Sequence, residues 1–329
     1  MKKTTVFIQD YDGVEGAMKW IYNGYHNAWE NLGYIPYYMD KPTLALQHMC
    51  ELSTNGHEYY IMASDTFWRL LRESCIELGM KEGLDAVIKN SKKFFLFVLP
   101  VKFPPPWGGH NNFRTLLTTE LIELINGMDN HKLWTFIDSE HEDAKKNFFS
   151  PWKDVKTVPL AFDNISYKYL EDEKYKFDVC YIGGRANNGF DEKYKIMRDH
   201  FSAFKDSGLK CGIFLERNLT HEQENKILYN SKVSINVHDA YQRKLGLDTN
   251  ERTFKALGLT GVMVSDDVYQ LKRLFPDVKR TNDPKEMVKF VKEYVKMPEE
   301  QLNSIKEKNR KMILENHTYT HRIQRMLEL

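Results

Sequence analysis

Cysteine is scarce in this chain. The four residues in 329, Cys50, Cys75, Cys180 and Cys211, show no CxxC spacing. That excludes a zinc ribbon, a thioredoxin-like dithiol and the disulfide framework of a small secreted domain. Cys180 and Cys211 fall in apolar, strand-like runs, where a thiol behaves as a small buried hydrophobe. Long uncharged apolar runs are missing too. None approaches the roughly 18 residues needed to cross a bilayer, and the start, Met1 to Thr5, has no apolar signal core. A cytoplasmic protein is therefore expected, in which the Asn-x-Ser/Thr sequences at Asn164, Asn218 and Asn316 carry no glycosylation message. Net charge is almost absent: 47 Lys+Arg stand against 46 Asp+Glu, which argues against a globally basic surface for duplex DNA. The balance is regional, −3 over residues 1–160 (17 against 20) and +4 over the remainder (30 against 26), and this suits an anionic ligand in the second half.

What the chain does contain is enough apolar residue, 42%, to build buried cores. At roughly 150 residues per domain its length favours two domains. Residues 5–9 read as a short strand running into the turn Asp10-Tyr11-Asp12-Gly13. Val14, Ala17, Met18, Ile21, Tyr25, Ala28, Trp29 and Leu32 then recur at helical spacing, with Asp12 and Glu15 as cap and partner and Gly33 as the stop. Further strands are expected at 35–39, 59–62, 94–100, 133–137 and 157–160, with helices around 66–78 and 112–125. The polar, charged residues 163–176 read as a link. A second alternation follows, with strands at 177–182, 210–215, 233–237 and 261–265. Helices are expected at 191–204, 221–230, 251–257 and 267–274, then a helical tail from Pro284. No period of 20–50 residues repeats. Strands alternating with helices predict parallel sheets covered on both faces. The expected architecture is thus α/β, with Rossmann-like domains over residues 1–165 and 166–312 and a C-terminal helix over 313–329 packing back on the first. Ligands of such a pair are expected beyond the carboxyl ends of the strands, between the domains.

The strongest local signal is Tyr181-Ile182-Gly183-Gly184-Arg185. Glycines after a strand let the backbone approach a phosphate, the next helix start favours negative charge, and Arg185 can contact a diphosphate. Gly-Gly after a strand is also an ordinary turn, so the motif alone decides nothing. The second signal runs through Ile235-Asn236-Val237-His238, residues 250–256, residues 261–266, Leu274-Phe275-Pro276 and His317 to Arg322. Taken in order over about 178–325, these pieces resemble the C-terminal domain of the CgeB-like (spore-maturation) branch of the GT-B glycosyltransferases. The N-terminal half resembles that family only in layout and in Val158-Pro159-Leu160-Ala161. The resemblance implies a GT-B fold, two Rossmann-like domains whose parallel sheets face across a cleft. It implies transfer of a sugar from a nucleotide-sugar donor, most readily a UDP-sugar, and donor contacts from Asn236, His238, Asn250, Glu251, Arg252, Thr253 and Lys255. Lys255 is the departure, since the family commonly has glutamate there as a partner for the donor ribose. An ammonium accepts no hydrogen bond, so Lys255 is expected on a phosphate or an acidic donor sugar, or paired with Glu251 four residues earlier on the same helix face.

On the acceptor side, Trp107, Gly108, Gly109 and His110 follow a proline-rich loop at the end of an apolar strand. His110 is a candidate base, titrating near neutrality, and Trp107 a stacking surface for a sugar; a rigid loop with a surface histidine explains the same residues. Asp10, at the end of the first strand, is the second candidate base. Asp10-Tyr11-Asp12 imitates an Asp-x-Asp metal motif, but Asp12 is accounted for as a helix cap. His317 and His321 have i, i+4 spacing without the glutamate of a zinc-protease motif. No metal and no cofactor beyond the nucleotide-sugar are expected. The acceptor remains open among a glycan, a protein, a small molecule and modified DNA. Two other readings compete: a nucleotide-sugar epimerase or phosphorylase on the same fold, and a binding protein whose active site has decayed.

Overall fold

A computed structural model of the chain describes residues 3–9, 17–98, 119–184, 192–216 and 219–328. They form two compact units, Met1–Pro159 with Thr320–Leu329, and Leu160–Tyr319.

The first unit runs β1 (Thr5–Ile8), α1 (Ala17–Asn31), β2 (Ile35–Tyr38), α2 (Pro42–Thr54), β3 (Tyr59–Ser64), α3 (Asp65–Glu77) and α4 (Lys81–Asn90). It continues through β4 (Lys93–Phe97), α5 (Thr119–Asn126), β5 (His131–Thr135), α6 (Glu142–Ala144) with a π turn at Lys145–Phe149, and β6 (Lys156–Thr157). The strands form one sheet in the order β2-β1-β3-β4-β5-β6, every pair parallel. β1 and β3 are buried along their whole length, which is why they read as unbroken apolar runs rather than alternating ones. The stripe on α1 seats Ile21, Tyr25, Ala28 and Trp29 in the core, where Trp29 stacks on Tyr60 with ring centres 5.8 Å apart. Gly33, at φ +88°, takes the left-handed conformation that ends α1. The predicted cap Asp12–Glu15 lies outside the described residues, as does the first half of the helix expected from 112.

The second unit runs β7 (Val179–Gly183), α7 (Glu192–Lys205), β8 (Cys211–Leu215), α8 (His221–Asn230), β9 (Val233–Asn236), α9 (Ala240–Leu245) and α10 (Glu251–Lys255) with a π turn at Ala256–Thr260. Then come β10 (Met263–Ser265), α11 (Tyr269–Leu274), β11 (Lys279–Arg280), α12 (Pro284–Val295) and α13 (Glu299–Asn316). Its sheet has the order β11-β10-β9-β7-β8, again all parallel. Val179, Tyr181, Val233, Ile235 and Val264 of the sheet pack with Met197 and Phe204 of α7 and Met287 and Val291 of α12. α13 closes carbonyls left open where helices end. Lys306 Nζ donates to Ser231, Asn309 Nδ2 to Gly261 and Arg310 Nε to Leu259, each at 2.7 Å. Gly261 permits that approach: its φ is +81°, and a Cβ there would stand 2.7 Å from Lys306 Cα and its carbonyl oxygen.

Residues 163–176, read as a link, lie in the second unit. Tyr167 is buried there, and its hydroxyl donates to Glu224 Oε2 of α8 at 2.9 Å. The last helix, α14 (Tyr319–Glu328), belongs with the first unit from Thr320 onward, where Arg322 Nε donates to the Pro159 carbonyl at 2.7 Å. Among the described residues no helix is long and apolar enough to cross a membrane.

Candidate functional site

In the second unit the direction of strand addition reverses between β7 and β9, and open α/β sheets take ligands beyond the strand ends at such a reversal. Arg252, from α10, bridges these two strand ends. Its Nε donates to the Ile182 carbonyl at 2.7 Å, and its Nη1 donates to Asn236 Oδ1 at 2.9 Å and to the Val237 carbonyl at 3.2 Å. The guanidinium lies over the Tyr181 ring, 4.8 Å from its centre. Nη2 is turned toward Gly183: a Cβ built on that residue would fall on it and stand 2.8 Å from the Tyr181 hydroxyl. That hydroxyl is buried and has no hydrogen-bond partner among the described residues. A fixed cation and a phenolic donor thus converge on a strand end that carries no side chain, which is the arrangement an anion needs. Gly183→Ala is expected to displace Arg252 and weaken nucleoside diphosphate binding by about 1.5–3 kcal/mol, the scale of a lost charged hydrogen bond. Isothermal titration checks this; unchanged affinity would remove Gly183 from the site.

Behind Arg252 a closed polar network holds α10 in place. Asn236 and Asn250 pair reciprocally through their amides at 3.0 and 3.1 Å, and Asn250 Oδ1 accepts from the Thr253 amide as the helix cap. Thr253 Oγ1 accepts from Asn236 Nδ2 at 3.0 Å and meets Thr249 Oγ1 at 2.6 Å. His238 joins the far side: Nε2 meets Thr249 Oγ1 at 2.8 Å, and Nδ1 meets Asp266 Oδ1 at 2.6 Å. Burial alone would raise the Asp266 carboxyl, but His238 and Arg243 outweigh it and hold it at about 2. An ionised Asp266 makes Nδ1 the protonated nitrogen of His238. Asn236, His238, Thr253 and Asp266 have no exposed surface, so in this arrangement they act by fixing Arg252 and Asn250.

Lys255 does not sit beside Arg252 as a free cation. Its Nζ contacts Glu224 Oε1 at 2.7 Å and Glu251 Oε2 at 3.3 Å, and it lies 5.5 Å from the centre of the Tyr167 ring. The Glu251 pairing is the i, i+4 contact the helix spacing allows; Glu224, from α8, is legible only in three dimensions. Burial works to raise both carboxyls. At Glu224 the close ammonium and the Tyr167 hydroxyl win, and its pKa falls below the ordinary value. At Glu251, farther from Lys255 and near a second carboxylate, burial wins and the pKa is raised.

Lys193 was not singled out by motif. It is almost wholly buried in the first turn of α7, donating to the Val237 carbonyl at 3.1 Å and to Asp239 Oδ1 at 2.5 Å. The Val237 carbonyl therefore receives both Lys193 and Arg252. The available signal was its place in the first turn of the helix that follows Gly183-Gly184. Gly184 is exposed at the end of β7. Arg185, Asp10, Trp107, Gly108, Gly109 and His110 lie outside the described residues. Among the described residues no cluster of three His, Cys, Asp or Glu side chains could hold a metal ion.

Residues 173–328 match a family described as glycosyl transferase-like, and the match does not single out the CgeB-like branch. No curated protein matches the chain. Of the solved structures, an alpha-glucosyltransferase in complex with UDP and a 13-mer DNA containing a HMU base aligns over 99% of both chains, at 11% identity and a TM-score of 0.56. A second complex of this description covers 97% of this chain and 96% of that one, at 12% identity and a TM-score of 0.57. A third, with UDP-glucose and DNA containing an abasic site, covers 96% and 95%, at 12% identity and a TM-score of 0.51. At such identities the likeness is one of fold: two parallel-sheet α/β domains, the GT-B architecture.

Proposed function

We propose that the chain is a glycosyltransferase that moves a sugar from a UDP-sugar to an acceptor hydroxyl without a metal ion. The observation that carries this reading is Arg252, clamped across the ends of β7 and β9 with Nη2 turned over Gly183. The match of residues 173–328 to a glycosyl transferase-like family supports it, and fold neighbours complexed with UDP or UDP-glucose favour a uridine donor. In the reaction the bond from the sugar C1 to the diphosphate oxygen breaks, and its electron pair leaves with UDP. The acceptor oxygen bonds to C1, and its proton passes to a base, for which His110 and Asp10 are the candidates. Charge developing on the leaving diphosphate is met by Arg252, by Arg185 just past Gly184 and by the amino end of α7. Asn236, Asn250, Thr253 and the His238–Asp266 pair keep that cation in register, and Trp107, Gly108 and Gly109 are the candidates from the sequence for contacting the acceptor.

Incubation with UDP-, GDP- and TDP-sugars tests the proposal through slow donor hydrolysis in the absence of acceptor. Release of UDP from one UDP-sugar is the expected outcome. Epimerisation without nucleotide release identifies an epimerase instead, and no turnover of any donor leaves a binding protein. Hydrolysis is expected to persist in EDTA, because arginine and backbone dipoles neutralise the phosphates. Complete loss restored by Mn²⁺ would return the metal role to Asp10 and Asp12. Glycans, proteins, small molecules and modified DNA are the acceptor classes to screen once a donor is known.

A further inference from the structure

The loop of residues 246–250 delivers Thr249, Asn250 and so Arg252 to the site, and it is tied down at its centre by a buried carboxyl. Asp248 is 1% exposed. Its Oδ2 accepts from Gln242 Nε2 at 2.6 Å and lies 3.4 Å from the Tyr241 hydroxyl. Both partners are neutral. The charged groups around it are committed elsewhere or are of the wrong sign. Capping α9, Asp239 is a second carboxylate that raises Asp248 further, and Arg243 on that helix faces Asp266 at 3.7 Å. From α7, Lys193 is bound to Asp239. Beyond β10, Asp266 is paired with His238. From α11 the loop receives the neutral Gln270, whose Oε1 accepts from the Thr249 amide at 2.8 Å. Among the described residues no cation contacts Asp248. A buried carboxylate without a counter-ion is costly, and its neutral form is not.

The geometry points to Asp248 as a positioning residue of the nucleotide site that works as the protonated acid, so that ionising it loosens the loop carrying Asn250 and Arg252. The same Gln242 links Asp248 to the start of α9, because Gln242 Oε1 accepts from the Asp239 amide at 3.1 Å. A charge on Asp248 therefore acts on α9 as well as on the loop. Burial, the largest influence, and the nearby Asp239 push the carboxyl up to about 7 against the pull of Gln242 and Tyr241. The sign follows: the neutral form is favoured in the fold, so stability is full below about pH 4 and is lost as pH rises toward about 7.

This inference rests on the reading of Arg252 as a nucleotide contact, and two measurements on the full chain and on Asp248→Asn separate the two. The first needs no ligand. The melting temperature of Asp248→Asn relative to wild type is expected to climb between about pH 4 and 7 and then level off; a pH-independent difference overturns the buried neutral acid. The second is UDP affinity. If only the neutral acid holds the loop, wild type at pH 8.5 has about one thirtieth of its sites competent. Asp248→Asn should then bind UDP about thirtyfold tighter at pH 8.5, the two converging toward pH 5.5. Ionisation of UDP itself cancels in this ratio. UDP binding with identical pH profiles overturns the positioning role alone. Absence of UDP binding in both proteins at every pH overturns the nucleotide reading and this role with it, while the melting comparison still reports on the acid.

Discussion

Arg252→Ala is expected to weaken UDP binding by about 1.5–3 kcal/mol, roughly ten- to a hundredfold. The effect should be this large because the guanidinium is already organised. Three of its donor contacts go to Ile182, Asn236 and Val237, so little side-chain entropy is lost when Nη2 meets an anion. Removing the side chain also leaves Asn236 Oδ1, buried with the rest of that side chain, with one donor fewer. Arg252→Lys is the informative companion. A single ammonium cannot span two strand ends as a planar fork does, so lysine should recover only a small part of the affinity. Calorimetry with UDP measures both. Wild-type affinity in Arg252→Ala would place the nucleotide elsewhere and withdraw the site.

The second large effect is expected at Lys255, and it falls on stability. Lys255→Ala leaves Glu224 and Glu251 buried beside each other without the cation between them. Breaking a buried charge cluster by removing one partner typically costs about 3–5 kcal/mol. In a domain of this size that lowers the melting temperature on the order of 10 °C. Adding Glu224→Gln should restore much of the loss, because one carboxylate fewer then needs compensation. The acid limb follows from Glu224, whose pKa is held below its ordinary value. Its contribution is present above the ordinary carboxylate range and is lost as pH falls through the lowered value. The wild-type advantage over Lys255→Ala should therefore shrink in strong acid. Because the ammonium is already neutralised, the ratio of turnover between matched neutral and acidic donors should not change in Lys255→Gln. Unfolding by denaturant and paired donor assays check the two parts. A melting temperature unchanged in Lys255→Ala would mean that the cluster is hydrated and adds nothing.

Much of the fold was legible because its signals are local. Gly33 stopping α1, the apolar stripe Ile21, Tyr25, Ala28 and Trp29, and the unbroken runs of β1 and β3 each follow from a few adjacent residues and their period. The helices α2 and α4 also went unread, and other unread elements are short. β11 is Lys279–Arg280, two charged residues that become a strand only because β10 offers an edge to pair with. α9 has six residues, too few for a periodic signal. Residues 163–176 looked like a link because they are polar; their polarity is used against α8, as Tyr167 on Glu224 shows.

The site divides in the same way. The order of residues alone marked the strand ending in Gly183-Gly184, the run from Asn250 to Lys255, and an α/β alternation in each half of the chain. These depend on backbone freedom, capping and alternation, all properties of neighbours in sequence. Tertiary structure decided what each side chain does there. It set Arg252 across β7 and β9, residues 70 apart in the case of Ile182, and turned His238 inward onto Asp266. It brought Glu224 to Lys255 from 31 positions away and, among the described residues, left Asp248 without a cation. Charge compensation and desolvation act through space over a few ångströms, whatever the separation along the chain. A sequence read by its neighbours shows which groups are available, and only the packed structure shows which of them remain free to meet a ligand.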